Sequence, residues 1–315
     1  MPAVELHHIS KAYGPTPAVQ DVSLTVAAGE LFGLIGPDGA GKTTLFRILT
    51  TLLLADAGTA TVAGHDVVRD FRAIRNVVGY MPGKFSLYQD LTVQENLEFF
   101  AAVFRTTVAA NYELVQDIYE QLAPFKNRRA GALSGGMKQK LALCCALIHK
   151  PEVLLLDEPT TGVDAVSRQE FWQMLGTLKA RGITIVVSTP YMDEAALCER
   201  VALLQEGRVL RVDTPEALRQ SYPWPLYAVR AARMYPLLKD LRAYPDAHSC
   251  FAFGESAHLS LAHPAPEAAA QLTAYLTQRG HADVAVAPVA ATIEDTFMDL
   301  LQAPAAPAAP STSRP

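Results

Sequence analysis

One glycine-rich segment, residues 36–43, constrains the fold of this chain more than any other stretch. It matches the phosphate-binding pattern G-x-x-x-x-G-K-S/T. Residues 31–35 before the segment form a short apolar run typical of a buried strand, and the apolar pattern of residues 44–54 predicts a helix after it. A strand, a glycine loop and a helix in that order are the context that the pattern needs. We therefore predict a site for a nucleoside triphosphate.

The chemistry of this loop follows from its residue types. Glycines allow backbone N–H groups to turn inward around phosphate oxygens, and the start of a helix adds partial positive charge. Lys42 is then placed to reach the outer phosphates, and the Thr43 hydroxyl is placed to bind magnesium.

Composition limits the partners that such a chain can have. The 27 basic residues are outnumbered by 32 acidic ones, which argues against a nucleic-acid-binding surface. No apolar run reaches the roughly 18–20 residues of a membrane span, and the N-terminal residues do not have the pattern of a signal peptide. The cysteines lack metal-ligand spacing, so we expect buried thiols and a reduced cytoplasmic compartment: Cys144, Cys145, Cys198 and Cys250.

A second apolar run, residues 153–156, ends in the carboxylates of Asp157 and Glu158. Ligands bind at the carboxyl ends of parallel strands, so we expect both side chains near the phosphate loop. Asp157 is suited to hold magnesium, directly or through water, and Glu158 to polarise an attacking water molecule. The pattern is weak by itself and becomes specific after a phosphate loop in the same chain.

Two further features are each open to two interpretations. Ser134, followed by two glycines at a predicted helix start, is either a second anion site or an ordinary N-cap. Tyr13, in a turn ahead of the phosphate loop, either stacks on an adenine ring or packs within the fold. A capping box at residues 92–95 opens another helix between the two chemical strands.

Together these segments resemble the nucleotide-binding subunit of ABC transporters. The family's motifs occur in the family's order: the phosphate loop, Leu-Ser-Gly-Gly at residues 133–136, Leu-Leu-Leu-Asp-Glu-Pro at 154–159 and Thr-Gly-Val-Asp at 161–164. The resemblance covers residues 3–220. It implies an α/β fold, namely a P-loop NTPase (RecA-like) core with an antiparallel β subdomain and an inserted helical subdomain at about residues 84–150.

Beyond the ATP-binding domain at residues 1–220, the pattern loosens. Residues 221–302 mix short alternating runs with helical ones, which predicts a small α+β appendage. Residues 303–315 consist mostly of Ala, Pro and Ser and are predicted to be disordered.

The resemblance also implies roles for individual residues. Asp157 would be the Walker B aspartate, Glu158 the general base, and Asp164 part of a loop that communicates across a dimer. Two subunits of this family sandwich two ATP molecules, so Ser134 and Gly136 would face the γ-phosphate held by a partner. The resemblance implies that ATP is bound by Tyr13, which stacks on the adenine, and by Gly36, Pro37, Asp38, Gly39, Ala40, Gly41, Lys42, Thr43, Thr44, Asp157 and Asp164. It implies that Mg²⁺ is bound by Thr43 and Asp157. The residues implied in catalysis are Glu158, Lys42, Ser134 and Gly136.

Two positions depart from the family pattern. Gly83 stands where the family has the glutamine that touches magnesium and the lytic water, and Pro190 stands where it has the histidine that hydrogen-bonds the γ-phosphate. The loss of one preorganised donor typically costs about 10²–10³ in rate. We therefore predict slow hydrolysis at this site and an asymmetric heterodimer with a second ATP-binding subunit that carries both residues. Lys84 or Tyr191 could replace the missing groups, and a homodimer that tolerates the changes is the alternative.

The resemblance implies a membrane partner as well. Residues 85–104 are rich in aromatics, and the family uses this region as the groove for a helical loop of the permease. We thus expect the chain to be cytoplasmic and peripheral on the inner face of the cell membrane, held by an integral permease. Residues 292–297 are similar to the closing helix of drug-exporter ATP-binding subunits, which favours export. The alternatives are a soluble ABC ATPase of translation or DNA repair, and a regulatory half that does not hydrolyse ATP.

Overall fold

The computed structural model describes residues 2–264 and 266–302. The chain divides into two compact units, with the boundary after Pro215. The boundary expected from the sequence, between residues 220 and 221, lies a few residues further along the chain. The predicted disordered tail, residues 303–315, lies outside the described residues.

The smaller sheet of the first unit is antiparallel. It is built from β1 (Pro2–Tyr13), β2 (Thr16–Ala27), β4 (Ala57–Val62) and β5 (His65–Asp66), in the order β2-β1-β4-β5. Side chains of β2 alternate between buried and exposed from Val22 onward. This alternation is typical of an antiparallel strand with one face on the core.

The larger sheet of the first unit carries the phosphate loop. Five of its strands run parallel: β3 (Leu31–Ile35), β6 (Val78–Met81), β7 (Val153–Asp157), β8 (Thr184–Thr189) and β9 (Arg200–Gln205). A sixth strand, β10 (Arg208–Asp213), lies antiparallel to β9, and the order is β10-β9-β3-β8-β7-β6. Every residue of β3, β7 and β8 is buried, which explains why these strands are mostly apolar and do not alternate with polar residues.

The α-helices described in the first unit follow the order of the strands. They are α1 (Lys42–Leu49), α2 (Phe71–Val77), α3 (Val93–Val103), α4 (Tyr112–Leu122), α5 (Gly135–Leu147), α6 (Ala165–Ala180) and α7 (Met192–Ala195). Helices α3 to α5 lie between β6 and β7, where the sequence predicts the helical insertion.

Helix α1 ends before the sequence predicts. The backbone N–H and the hydroxyl of Thr50 both donate to the Phe46 carbonyl oxygen, and Thr51 then takes a left-handed φ of 61°. Leu52 and Leu54 lie beyond this turn with 61% and 63% of their surface exposed. The predicted extension to residue 54 is wrong, because the chain turns at Thr51 and leaves Leu52 and Leu54 exposed.

Two other local predictions for the first unit are confirmed. The Thr92 hydroxyl accepts the Glu95 N–H, and the Glu95 carboxylate accepts the Thr92 N–H, which is the reciprocal capping box. Cys144 and Cys145 are buried in α5, and burial raises the pKa of both thiols. Within the described ranges, no helix combines the length and the apolar character that crossing a bilayer requires.

The second unit is an antiparallel sheet with helices. Its elements are α8 (Pro215–Gln220), β11 (Leu226–Arg230), α9 (Met234–Arg242), β12 (Ala247–Phe253), β13 (Ser256–Leu261), α10 (Ala268–Gln278), β14 (Ala285–Pro288) and α11 (Ile293–Gln302). The strands pair in the order β12-β13-β11-β14. A β-α-β-β-α-β chain with this pairing is the ferredoxin-like arrangement, which agrees with the predicted α+β appendage.

Different chemistry holds the two faces of this second sheet. Leu259 of β13 belongs to an apolar cluster with Leu237 of α9 and Leu272 of α10. The neighbouring His258 points the other way, and its Nδ1 lies 2.9 Å from the Asp295 carboxylate of α11. Apolar burial thus fixes α9 and α10, whereas α11 combines polar contacts with the burial of Ile293 and Phe297.

Candidate nucleotide site

The phosphate loop links the end of β3 to the start of α1, and close packing requires its glycines. A Cβ on Gly36 would lie 2.3 Å from the carbonyl oxygen of Leu204. A Cβ on Gly41 would lie 2.4 Å from the carbonyl oxygen of Ala18, and Gly41 has a φ of 100° that other residues rarely adopt. Any side chain at these two positions would therefore displace the loop from the sheet.

Lys42 is buried at the first turn of α1, with 3% of its surface exposed. Its ammonium donates to the carbonyl oxygens of Gly36 and Pro37 at 2.7 and 3.0 Å. The Glu158 carboxylate lies 3.2 Å from the same nitrogen. These oxygens compensate the buried charge, and phosphate oxygens are chemically equivalent replacements for them.

The two predicted carboxylates lie at the carboxyl end of β7. Asp157 is its last residue and has 3% of its surface exposed. Glu158 comes next with a left-handed φ of 49°, and its side chain turns toward Lys42. The structure therefore brings the phosphate loop and both carboxylates together at the carboxyl ends of β3 and β7, which lie on either side of β8 in the sheet.

A cavity of about 410 Å³ lies over the phosphate loop. Tyr13 lines one side of it with 46% of its surface exposed, and Glu158 lines another. The remaining lining residues are Ala18, Asp38, Gly39, Ala40, Gly41, Lys42, Thr43 and Thr44. An exposed aromatic ring beside a phosphate loop is suited to stack on a base, so the geometry favours the stacking interpretation of Tyr13 over the packing one.

Three predicted site residues from other segments, Ser134, Asp164 and Gly136, do not line this cavity, and neither do Gly36, Pro37 and Asp157. The Ser134 hydroxyl accepts the Met137 N–H and caps α5, and the Asp164 carboxylate accepts the Val166 and Ser167 N–H groups and caps α6. The hydrogen bond from Ser167 holds the pKa of Asp164 below its usual range. Both residues serve as N-caps in this chain, and their roles toward a partner's nucleotide stay predictions.

The third of these residues, Gly136, lies where the starts of α5 and α6 meet. A Cβ on Gly136 would lie 2.6 Å from the Ser167 Oγ. Glycine at this position therefore lets the two helix starts approach each other closely, which places Ser134 and Asp164 on adjacent loops.

The two atypical positions lie at the edge of the reaction centre. A Cβ on Gly83 would lie 3.1 Å from the carbonyl oxygen of Asp157 and 3.9 Å from its Cγ. Pro190 directly follows Thr189, whose carbonyl oxygen accepts the Gly36 N–H at 3.3 Å. A side chain at position 83 would thus begin beside the predicted Walker B carboxylate.

The two residues suggested as replacements face elsewhere. Lys84 is exposed. Tyr191 packs its ring against the Arg168 guanidinium at 4.3 Å from the ring centroid, and its backbone N–H donates to the Thr189 hydroxyl. The cavity over the phosphate loop includes neither side chain.

Sequence reasoning missed Ser188, which lies between the two chemical strands. Its hydroxyl donates to Asp157 Oδ1 at 2.7 Å and accepts the Glu158 N–H at 3.0 Å. In the sequence it is one more small residue in a buried strand. The one feature of the sequence that indicates a role for Ser188 is its position as a polar residue near the carboxyl end of a largely apolar strand.

A second cavity, of about 430 Å³, is an apolar groove beside α3 and α5. Phe104 stacks on His149 there with ring centroids 3.8 Å apart, and burial lowers the pKa of His149. Burial, followed by the charge of Asp157, raises the pKa of Tyr80 to about 12. The predicted aromatics that line the groove are Phe85, Phe100 and Phe104, whereas Tyr88 and Phe99 do not line it.

Known proteins share both the sequence and this geometry. The family model described as ABC transporter matches residues 19–161. The Nod factor export ATP-binding protein I of Burkholderia lata is 41% identical over 222 residues, which are 69% of this chain and 73% of that protein. The chain belongs to the ATP-binding proteins of ABC transporters.

Other relatives of this ABC protein are larger. The Probable multidrug ABC transporter ATP-binding protein YbhF of Escherichia coli K12 is 50% identical over 207 residues, 65% of this chain. The chain spans 36% of the length of that relative.

Solved structures show the same cassette fold. The ATP-binding subunit of an ABC transporter superposes with a TM-score of 0.64 at 26% identity, over 70% of this chain and 93% of that one. The cassette MJ0796, in a dimeric post-hydrolysis state bound to ADP and Pi, has a TM-score of 0.60 at 26% identity, over 67% of this chain and 98% of that one. The predicted P-loop NTPase fold is thus confirmed, and the chain contains an ABC-type ATPase cassette.

Proposed function

We propose that this ABC protein powers a membrane exporter, and that its own site binds ATP well but hydrolyses it slowly. The names of the relatives support export, because they are a multidrug transporter protein and a Nod factor export protein. Slow hydrolysis rests on the geometry around Gly83 and Pro190.

Binding uses residues that the cavity already brings together. Tyr13 stacks on the adenine, and the N–H groups at the start of α1 receive the phosphates. Lys42 exchanges its carbonyl partners and Glu158 for phosphate oxygens. The exchange also frees the Glu158 carboxylate to polarise a water molecule.

The same site fits Mg²⁺. Thr43 and Asp157 provide the hydroxyl and carboxylate oxygens that this cation prefers. Ser188 takes one Asp157 oxygen, and within the described part of the chain no hydrogen bond to the other oxygen is found. Mg²⁺ neutralises charge on the phosphates when bound, and these two residues would hold it there.

The observation that carries slow hydrolysis is the position of Gly83. Its backbone lies against Asp157, so this is where a side chain would contact the lytic water, and glycine provides none. Pro190 has no N–H to donate. Glu158 remains as the base, and each missing donor lowers the rate of hydrolysis by a factor of about 10²–10³.

The pairing follows from where Ser134 lies. Its helix start is complete but does not line this chain's own cavity, so it is available to a nucleotide held by another subunit. A partner with glutamine and histidine at the two atypical positions would then hydrolyse ATP rapidly at its own phosphate loop. Two copies of this chain would form only slow sites, which favours the heterodimer.

The apolar groove beside α3 and α5 supports a permease partner. Its wall of Tyr80, Met81, Phe85 and Phe104 suits the apolar face of a short helix from a membrane protein. Docking there places the chain on the inner face of the cell membrane, and closure around ATP would move the permease.

The test compares ATP hydrolysis by the pure chain with hydrolysis after its partner subunit is added. We expect tight ATP binding with slow turnover alone and fast turnover in the mixture. Glu158→Gln in this chain should leave the mixture fast, because the fast site uses the partner's base. Rapid hydrolysis by the pure chain that Glu158→Gln abolishes would contradict the proposal, and ATP recovered intact after long incubation of every mixture would instead indicate a regulatory half.

A further inference from the structure

We infer that Ser188 is the positioning residue that sets Asp157 for magnesium and Glu158 for the attacking water. The inference rests on the proposed function, since it assigns Mg²⁺ to Asp157. Ser188 itself touches neither the nucleotide nor the water, because 0% of its surface is exposed.

The direction of both hydrogen bonds at Ser188 is determined by chemistry. The Glu158 N–H can only donate, so the Ser188 hydroxyl must accept it. The hydroxyl proton is then directed to Asp157 Oδ1, 2.7 Å away. One hydroxyl thus connects the magnesium carboxylate with the backbone of the general base.

Sheet register places Ser188 at this position. In the parallel pairing of β7 with β8, Ser188 lies opposite Asp157, and in the pairing of β8 with β3 it lies opposite Leu34. The hydroxyl therefore sits between the phosphate-loop strand and the carboxylate strand. A shift of one residue would point it to the other face.

The bond to Asp157 selects which oxygen meets the cation. Asp157 has 3% of its surface exposed, so its orientation depends on buried partners. With Oδ1 held by Ser188, the other oxygen is the one left to bind the cation. Without the hydroxyl, the carboxylate would rotate among orientations and hold Mg²⁺ less well.

The bond to Glu158 supports a strained backbone. Glu158 has a φ of 49°, a conformation that side chains other than glycine rarely adopt. Its N–H is shared between the Ser188 hydroxyl and the Ser188 carbonyl oxygen, at 3.0 and 3.1 Å. This fork holds the turn that aims Glu158 at Lys42.

The experiment measures ATP affinity of the full chain in Mg²⁺ and in EDTA, by displacement of a fluorescent nucleotide. Wild type should bind more tightly with Mg²⁺. Ser188→Ala should bind ATP in EDTA as tightly as wild type does. The factor by which Mg²⁺ increases its affinity should be about tenfold smaller than in wild type, as expected for an unpaired buried carboxylate. Ser188→Thr retains the hydroxyl and should restore the gain; Ser188→Cys, whose larger sulfur forms only weak hydrogen bonds, replaces Ser188→Ala if that variant unfolds.

Thr184→Ala is the matched control. Thr184 is buried in the same strand, and its hydroxyl accepts the Gly29 N–H at 2.9 Å, at the end of β8 remote from the carboxylates. It should lower the Tm as Ser188→Ala does, yet keep the gain from Mg²⁺.

The outcomes separate the inference from the proposed function. A full gain from Mg²⁺ in Ser188→Ala, or an equal loss in Thr184→Ala, would overturn the role of Ser188 while ATP binding stood. Absence of ATP binding by wild type would overturn the proposed function and the inference with it.

Discussion

The side of the site that we propose binds phosphate and the side that we propose positions water differ sharply in this protein. At residues 36–43 two crowded glycines shape the loop, and a buried ammonium and a helix start line one cavity. Across the site, Gly83 lies against Asp157 without a side chain, and Pro190 lacks a donor. Affinity for ATP and its turnover use different groups, so one can persist while the other declines.

The largest effect that we predict tests the gripping side. Lys42→Ala should weaken ATP binding by about 10²–10³-fold, because truncation of a buried charged partner costs about 3–4 kcal/mol. Isothermal titration with ATP and Mg²⁺ measures it. Lys126→Ala, which removes an exposed lysine elsewhere in the unit, should change nothing. Similar affinity in the two variants would contradict the assignment.

The next prediction restores the water-handling side. The double substitution Gly83→Gln with Pro190→His should raise the rate of phosphate release by at least about 10²-fold, since it returns two transition-state donors. ATP affinity should stay the same, which would show that the two sides are separable.

The control for this restoration is Gly83→Ala with Pro190→Ala. A Cβ at position 83 meets the Asp157 carbonyl oxygen at 3.1 Å, so the backbone must yield slightly in both variants. The alanine pair has no functional groups and should stay slow. An equal rise in both would point to backbone relaxation instead.

A smaller effect should separate base recognition from phosphate recognition. Tyr13→Ala should weaken ATP binding by about tenfold, because stacking on an aromatic ring contributes about 1–3 kcal/mol per base. Tyr13→Phe should bind as wild type does. Inorganic triphosphate, which has no base, should bind both variants and wild type equally; a loss for triphosphate as well would indicate a packing role for Tyr13.

The smallest expected effect on the nucleotide site comes from the second unit. Asp295 accepts from the N–H and hydroxyl of Thr292 and pairs with His258, so Asp295→Ala should destabilise this unit by about 1–3 kcal/mol. ATP affinity should not change.

Fluorescence can report on the second unit alone. The chain has two tryptophans, and Trp172→Phe leaves Trp224, whose Nε1 donates to Asp299. Urea unfolding in that background measures the loss in Asp295→Ala. The exposed Glu255→Ala serves as control, and an equal loss there would contradict a specific role for Asp295.

The sequence alone determined the parts of the site that are local in the chain. The phosphate loop, the Asp157–Glu158 pair and the capping box at Thr92 each consist of a few consecutive residues, so a local sequence pattern is enough to recognise them. The order of the motifs was enough to indicate the family and the P-loop fold.

The tertiary structure decided whatever depends on neighbours from distant segments. Helix α1 stops at a left-handed Thr51 although the apolar pattern continues. Ser188 joins Asp157 to Glu158 only because β7 and β8 pair in one register. Gly83 matters because its backbone lies against Asp157. Such contacts join residues far apart in sequence, and no local pattern records them because the packing that creates them is a property of the whole sheet.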